Sequence, residues 1–162
     1  PVHRGAAFVG ASGLGDELDF VTVDKGTLRH TTYDTIFAVG DAANVPTSKA
    51  GAVAHFELDV LPEQIGRMLE GEEPTETFDG HATCFIESGG GKAMLIDFNY
   101  DTEPLPGTFP LPAVGPMPLL KESRLNHLGK LGFEWAYWSM LLPGRPMPLP
   151  ARMSMSGKKT PA

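Results

Sequence analysis

The sequence predicts an α+β, or partial α/β, fold on three observations. A β-branched and aromatic run, Thr35–Val39, leads straight into Gly40-Asp41 and, after a short polar loop, into a helix opening at Ser48-Lys49-Ala50-Gly51. Two further runs, Ala82–Glu87 and Lys92–Phe98, flank Ser88-Gly89-Gly90-Gly91 and read as a β-hairpin. Near the C-terminus, KESRLNHLGKLGFEWAYWSMLL carries apolar residues at helical spacing and predicts an amphipathic helix over 121–142. At 162 residues, with 41% hydrophobic and 20% charged, the chain has the length and composition to bury a core.

The elements follow in order. Phe20–Val23 reads as a short strand before a Lys25-Gly26 turn, and Thr35–Val39 as a buried strand. Lys49 to about Leu61 places Val53, Phe56 and Val60 on one helical face; Pro62 is expected to break or kink the helix, with a further turn or two over Glu63–Leu69. The acidic segment 71–80 (GEEPTETFDG) reads as a loop, and Asp101–Leu119 as a Pro-rich crossover. The final twenty residues, from Pro143, are expected to be irregular or disordered.

Charge is distributed unevenly. Residues 1–116 hold six Lys/Arg against eighteen Asp/Glu, whereas residues 117–162 hold seven Lys/Arg against Glu122 and Glu134. A basic tail on an acidic body suits a polyanionic neighbour, whether nucleic acid, an anionic membrane surface or an acidic patch on the body itself, and equally a solvated C-terminus. No nucleic-acid partner is expected. The single cysteine excludes an internal disulfide framework and fits a reducing compartment. There is no run of eighteen apolar residues, no internal repeat, and no metal-ligand spacing among His, Cys and carboxylates.

The Thr35–Gly51 arrangement favours a definite chemistry. A strand delivers the Asp41 carboxylate to a sheet edge where Gly40 permits close backbone approach. A helix N-terminus a few residues later supplies unpaired N–H groups and a partial positive charge. Acceptor and anion-stabilising dipole together suit a ligand with sugar-type hydroxyls and an electron-rich ring. The alternative is an ordinary strand–turn–helix in which a buried Asp caps the turn.

The wording TIFAVGDAANVPTSKAGAVAHFE resembles the second flavin-contacting segment of the two-dinucleotide-fold flavoproteins, the pyridine nucleotide-disulfide oxidoreductase superfamily, and most of all its sulfide:quinone oxidoreductase branch. The resemblance implies that Gly40 and Asp41 hold the ribityl chain of FAD. It places Ser48, Lys49, Ala50 and Gly51 at the helix start facing the flavin pyrimidine edge, with Lys49 a cation near it. The family's first FAD segment, Gly-x-Gly-x-x-Gly, is missing: Gly10–Gly15 spells GASGLG, and Gly89–Gly91 is the hairpin turn. The chain is therefore expected to be a C-terminal fragment whose N-terminal flavin domain lies elsewhere, holding no FAD by itself. On that alignment 1–30 is the exit of a nucleotide-like middle domain, 31–75 the second half of the FAD domain, 76–142 a redox and interface region, and 143–162 a basic tail.

Cys84 lies in TCFIES, on the first hairpin strand. The resemblance implies a catalytic cysteine that takes sulfur from sulfide with a second cysteine outside this chain; a lone Cys on an apolar strand is otherwise a small buried hydrophobe. His81 falls on the opposite strand face from Cys84, and for all five histidines a surface or capping role is expected. In the 121–142 helix Arg124, His127 and Lys130 read as a basic face. Phe133, Trp135, Tyr137 and Trp138 are candidate quinone or membrane contacts, with core packing the alternative. The resemblance implies sulfide and quinone as substrates, homo-oligomers, and a protein that is cytoplasmic or peripheral on the inner face of the plasma membrane. A related NAD(P)H-dependent reductase with a structural Cys84, and a non-enzymatic dimerisation or membrane-docking domain, remain the alternatives.

Overall fold

Val21 pairs with Gly15 on one side and with Ala43 on the other, and around it the first part of the chain is knitted by single bridges. The structure is a computed structural model that describes residues 3–110, 115–145 and 150–160. It divides into two units, one ending at His81 and one beginning at Ala82.

In the first unit, helix α1 (Ala7–Ala11) ends through Gly13, whose φ of +76° favours a residue without Cβ, so the GASGLG stretch is a helix end and turn. Phe20–Val23 and Thr35–Val39 are not regular strands, contrary to the sequence reading. Val23 bridges His30 and Phe37 bridges Arg29, and no ladder extends from either. Asp24 turns the chain too soon for one, accepting the Gly26 and Thr27 amides at 3.0 and 2.8 Å. Phe37 has a single bridge partner and Ile36–Val39 are half-buried rather than buried.

Helix α2 runs unbroken over Gly51–Leu69, so Pro62 does not break it and Lys49 precedes it. Proline removes the N–H that the Leu58 carbonyl would accept, but Leu58 is 50% exposed and that side of the helix faces water, where the loss is tolerated. The buried face is Val53, Phe56, Glu57, Val60 and Gln64. The acidic loop folds back on this unit: Phe78 is buried with its amide on Gly26 O, and Gln64 Nε2 donates to the carbonyls of Gly26 and Glu76.

The second unit holds a four-stranded sheet in the order β1-β2-β4-β3. Strands β1 (Ala82–Gly89) and β2 (Lys92–Phe98) form the expected antiparallel hairpin, with Cys84 opposite Ile96. Its turn uses three glycines at positive φ, Gly89, Gly90 and Gly91. The Pro-rich segment is not strand-free. It contributes β3 (Gly107–Phe109) and β4 (Met117–Leu119), antiparallel to each other, with β4 parallel to β2 through Leu95 and Leu119. Residues 111–114 of that crossover lie outside the described residues.

Helix α3 (Arg124–Ala136) starts at Ser123, whose Oγ accepts the Asn126 amide at 3.0 Å, and passes into a widened π turn over Tyr137–Leu141. It is thus shorter at both ends than the 121–142 expected. It packs through Asn126, fully buried and donating to the carbonyls of Pro118 and Lys121, and through Gly129, where a Cβ would come within 2.8 Å of Met117 Sδ. Residues 150–160 are irregular, as expected, but they are tied to the sheet by hydrogen bonds, while 146–149 lie outside the described residues. Lys158 bridges Gly107, Thr108 N–H donates to Gly157 O, and Lys159 N–H donates to Pro106 O, so the tail is hydrogen-bonded along β3.

Candidate functional site

Gly40 begins a 3-10 turn, Gly40–Ala42, that packs on α2. Its φ of +64° and the 3.3 Å separation between a Cβ placed there and Ala54 Cβ explain why a glycine stands at this point. Asp41, the next residue, is exposed. The buried Asp of the alternative reading is therefore not found.

The start of α2 lacks a side-chain cap. Ala50 is its N-cap residue and supplies no side-chain acceptor, while the space over Gly51 is open, with nothing within 4 Å of a Cβ placed there. The first N–H groups of the helix are thus not covered by a side chain of the cap residue. One unit thus carries an exposed carboxylate on a glycine turn, able to accept hydrogen bonds, and a helix start whose cap residue supplies no side-chain acceptor.

Lys49 sits just outside the helix and is directed into its own unit. Its Nζ donates to the Ala43 carbonyl and lies 4.9 Å from the centroid of the Phe20 ring. Burial lowers its pKa from 10.5, against the raising influence of Glu57, Asp41 and Asp16.

Glu57 is the residue that sequence reasoning missed. It is 0% exposed, and its Oε2 accepts the Gly40 N–H. Its other oxygen, Oε1, is buried without a hydrogen-bond partner. Burial raises its carboxyl above the ordinary 4.5, opposed by the Gly40 amide and by Lys49, and assisted by Asp41. The signal was present in the spacing, since Glu57 shares the apolar helix face with Val53, Phe56, Val60 and Gln64.

Cys84 belongs to the second unit, is half-buried and forms no disulfide. By strand alternation it shares a face with Ile86 and, across the hairpin, with Met94 and Ile96. The opposite face carries Phe85 and Glu87, and it meets α3: Phe85 lies against Gly129, and Glu87 binds His127 Nδ1 and reaches Lys130 Nζ at 3.7 Å. The helix is therefore turned differently from the basic-face reading, because two of its three basic residues engage the sheet.

The outward side of α3 is apolar. Leu125, Leu128, Leu131, Trp135, Trp138 and Leu142 are 42%, 60%, 52%, 67%, 63% and 55% exposed. Phe133 and Tyr137 are also exposed, and Tyr137 meets Trp138 edge to face at 5.4 Å. These rings are not part of the chain's core. Among the described residues no helix is long and apolar enough to cross a membrane, and no three His, Cys, Asp or Glu side chains are grouped to hold a metal ion.

Two histidines are buried rather than at the surface, one of them, His30, in the capping role also expected. His81 is buried and stacked on Phe56 at 4.3 Å. His30 is buried too; its Nδ1 accepts the Thr32 and Tyr33 amides, which leaves the proton on Nε2 facing Leu14 O.

No protein-family model matches the chain. Among curated proteins it is similar to three mitochondrial sulfide:quinone oxidoreductases. It is 31% identical to that of Mus musculus over 82% of this chain, 30% identical to that of Schizosaccharomyces pombe over 86%, and 35% identical to that of Dictyostelium discoideum over 78%. The matches span 28%, 30% and 26% of those proteins, so the chain accounts for less than a third of their length. Among solved structures, a chain of the Tetrahymena thermophila mitochondrial ATP synthase tetramer superposes with a TM-score of 0.60 at 25% identity, covering 83% of this chain and 29% of that one. The chain is thus similar to part of a sulfide:quinone oxidoreductase.

Proposed function

We propose that this chain is the C-terminal portion of a longer FAD-dependent sulfide:quinone oxidoreductase. The observation that carries the reading is the pairing, within one unit, of an exposed Asp41 on the Gly40 turn with the uncapped start of α2. The similarity to three proteins of that name supports it. FAD, when bound, supplies a two-electron relay between thiol chemistry and a quinone.

In this reading Asp41 accepts hydrogen bonds from ribityl hydroxyls, and the N–H groups at the start of α2 face the pyrimidine carbonyl edge. Lys49 adds positive potential from behind the turn. Cys84 is one sulfur of a cysteine pair that, in its oxidised and bridged form, HS⁻ opens. One cysteine keeps the added sulfur as a persulfide, and the other leaves as a thiolate whose electron pair passes to FAD and then to quinone. The partner cysteine lies outside this chain, because the chain has one cysteine. The exposed stripe of α3, with Trp135 and Trp138, lies in a membrane interface and offers the surface from which a lipid-soluble quinone is taken.

The test is direct. The full-length protein, purified, should show a flavin absorption spectrum that bleaches with sulfide and recovers on adding a short-chain quinone. A protein that takes up flavin but is reduced by NAD(P)H and not by sulfide would replace this reading with that of a related reductase.

A further inference from the structure

The Gly40 turn is held from the inside. Its first residue has a left-handed φ, and a 3-10 turn of three residues leaves its leading amide without an internal acceptor. Glu57, one face of α2 away and fully buried, fills that need through Oε2. The nearby Lys49 offsets its charge, but the hydrogen bond is made to Gly40. A carboxyl with no exposure and one oxygen without a partner is costly where Leu or Met would pack. Asp41 follows Gly40 directly, so whatever fixes the Gly40 peptide fixes the direction in which the Asp41 carboxylate leaves the turn.

We infer that Glu57 is a positioning residue: by holding the Gly40 amide it sets the orientation in which Asp41 is presented to a polyhydroxylated ligand. The inference rests on the flavin reading for the identity of that ligand, but the geometry of the turn does not. Lys49, which lies over the Phe20 ring and is influenced by Asp41 and Asp16, offsets the carboxylate charge without replacing the hydrogen bond to Gly40.

Two variants separate position from bulk. Glu57→Ala removes the acceptor; Glu57→Gln keeps an oxygen at the same reach. Amide hydrogen exchange of the 162-residue chain, followed by NMR, is read at Gly40 and, as an internal control, at Val53 and Val60. In Glu57→Ala the Gly40 amide should exchange about tenfold faster or more while the α2 controls hold, and Glu57→Gln should stay within about threefold of the parent sequence. In the full-length flavoprotein, FAD titration should show about a tenfold weaker Kd for Glu57→Ala, restored by Glu57→Gln.

An unchanged Gly40 amide in Glu57→Ala overturns the inference, as does exchange rising equally along α2, which would make Glu57 a packing residue. A Gly40 amide that responds while FAD affinity stays fixed removes the link to Asp41 and overturns it too. If the unaltered full-length protein takes up no FAD, the flavin reading falls and the ligand half of the inference with it. That failure is recognisable because the amide response at Gly40 persists.

Discussion

Lys158 Nζ meets the Asp97 carboxylate with the two side chains 1% and 2% exposed, across sixty-one positions of sequence. Lys158 also donates to Ser154 O, and Thr83 Oγ1 donates to the other Asp97 oxygen at 2.6 Å. Part of the basic tail thus finds its acidic partner within its own unit. Removing the ammonium would leave a buried carboxylate uncompensated. Lys158→Met should therefore destabilise the chain by about 3–5 kcal/mol, and the double change Asp97→Leu with Lys158→Met should recover much of that loss. Urea denaturation midpoints of the parent and the two variants check it; equal stabilities would mean the tail is not anchored there.

Glu57 makes stability depend on pH in an unusual direction. Its folded pKa is raised above the ordinary 4.5, chiefly by burial, so the native state prefers the neutral acid. The stabilisation this gives is complete below 4.5 and is lost as pH rises through the raised folded value. Asp24 acts oppositely. The Thr27 amide bond, with that of Gly26, lowers its pKa from 3.8, so its stabilisation is present above 3.8 and lost as pH falls through the folded value. Glu57→Gln should flatten the decline above pH 4.5 while leaving the acid limb unchanged. Circular-dichroism melts from pH 3 to 8, roughly the span over which carboxylates titrate, would show it. An identical slope in the variant would assign that decline to other groups.

Trp135 and Trp138 provide a test of the α3 surface. With 67% and 63% exposure they contribute little to the core, so changing both to Ser should alter stability by less than about 1 kcal/mol rather than the ~3–5 kcal/mol of a core aromatic. If the stripe lies on lipid, the same change should weaken sedimentation of the full-length protein with anionic vesicles. The unaltered protein should be partly released as salt rises, since each surface cation adds about 1 kcal/mol screened over about 10 Å. Vesicle binding that ignores both tryptophans would require another route for quinone.

The hairpin was legible because period-2 patterning and three consecutive glycines agree, and both are local. The turn at Gly40 was marked by its glycine, but the strand expected to lead into it does not form. Of the two outcomes expected at Pro62, a break or a kink, the break does not occur: the helix continues to Leu69 as expected, because the missing bond lies on the watered side of α2, beside Leu58. The bonds from the tail to Asp97 and β3 were invisible because Pro, Gly and Lys compose an irregular-looking segment whose order comes from distant partners. Glu57 escaped notice because an acid in a helix reads as surface, although its place among Val53, Phe56 and Val60 already put it on the buried face.

Asp41 should matter for ligand and not for fold. It is exposed, so Asp41→Ala should leave the melting temperature of the chain within about 2 °C while loosening FAD in the full-length protein. Loss of one or two charged hydrogen bonds, roughly 1.5–3 kcal/mol each, corresponds to a decade or more in Kd. Fluorescence titration with FAD measures this. An unchanged Kd would leave the ribityl contact to another residue.

The most direct measurement concerns Cys84, which is half-buried on β1 and is the chain's one thiol. Serine keeps its volume but cannot carry a sulfane sulfur. In the full-length protein Cys84→Ser should abolish sulfide-dependent quinone reduction while flavin content and melting temperature stay as in the parent. Near-parental turnover with sulfide in that variant would contradict the account and leave Cys84 as a small hydrophobic residue of the sheet.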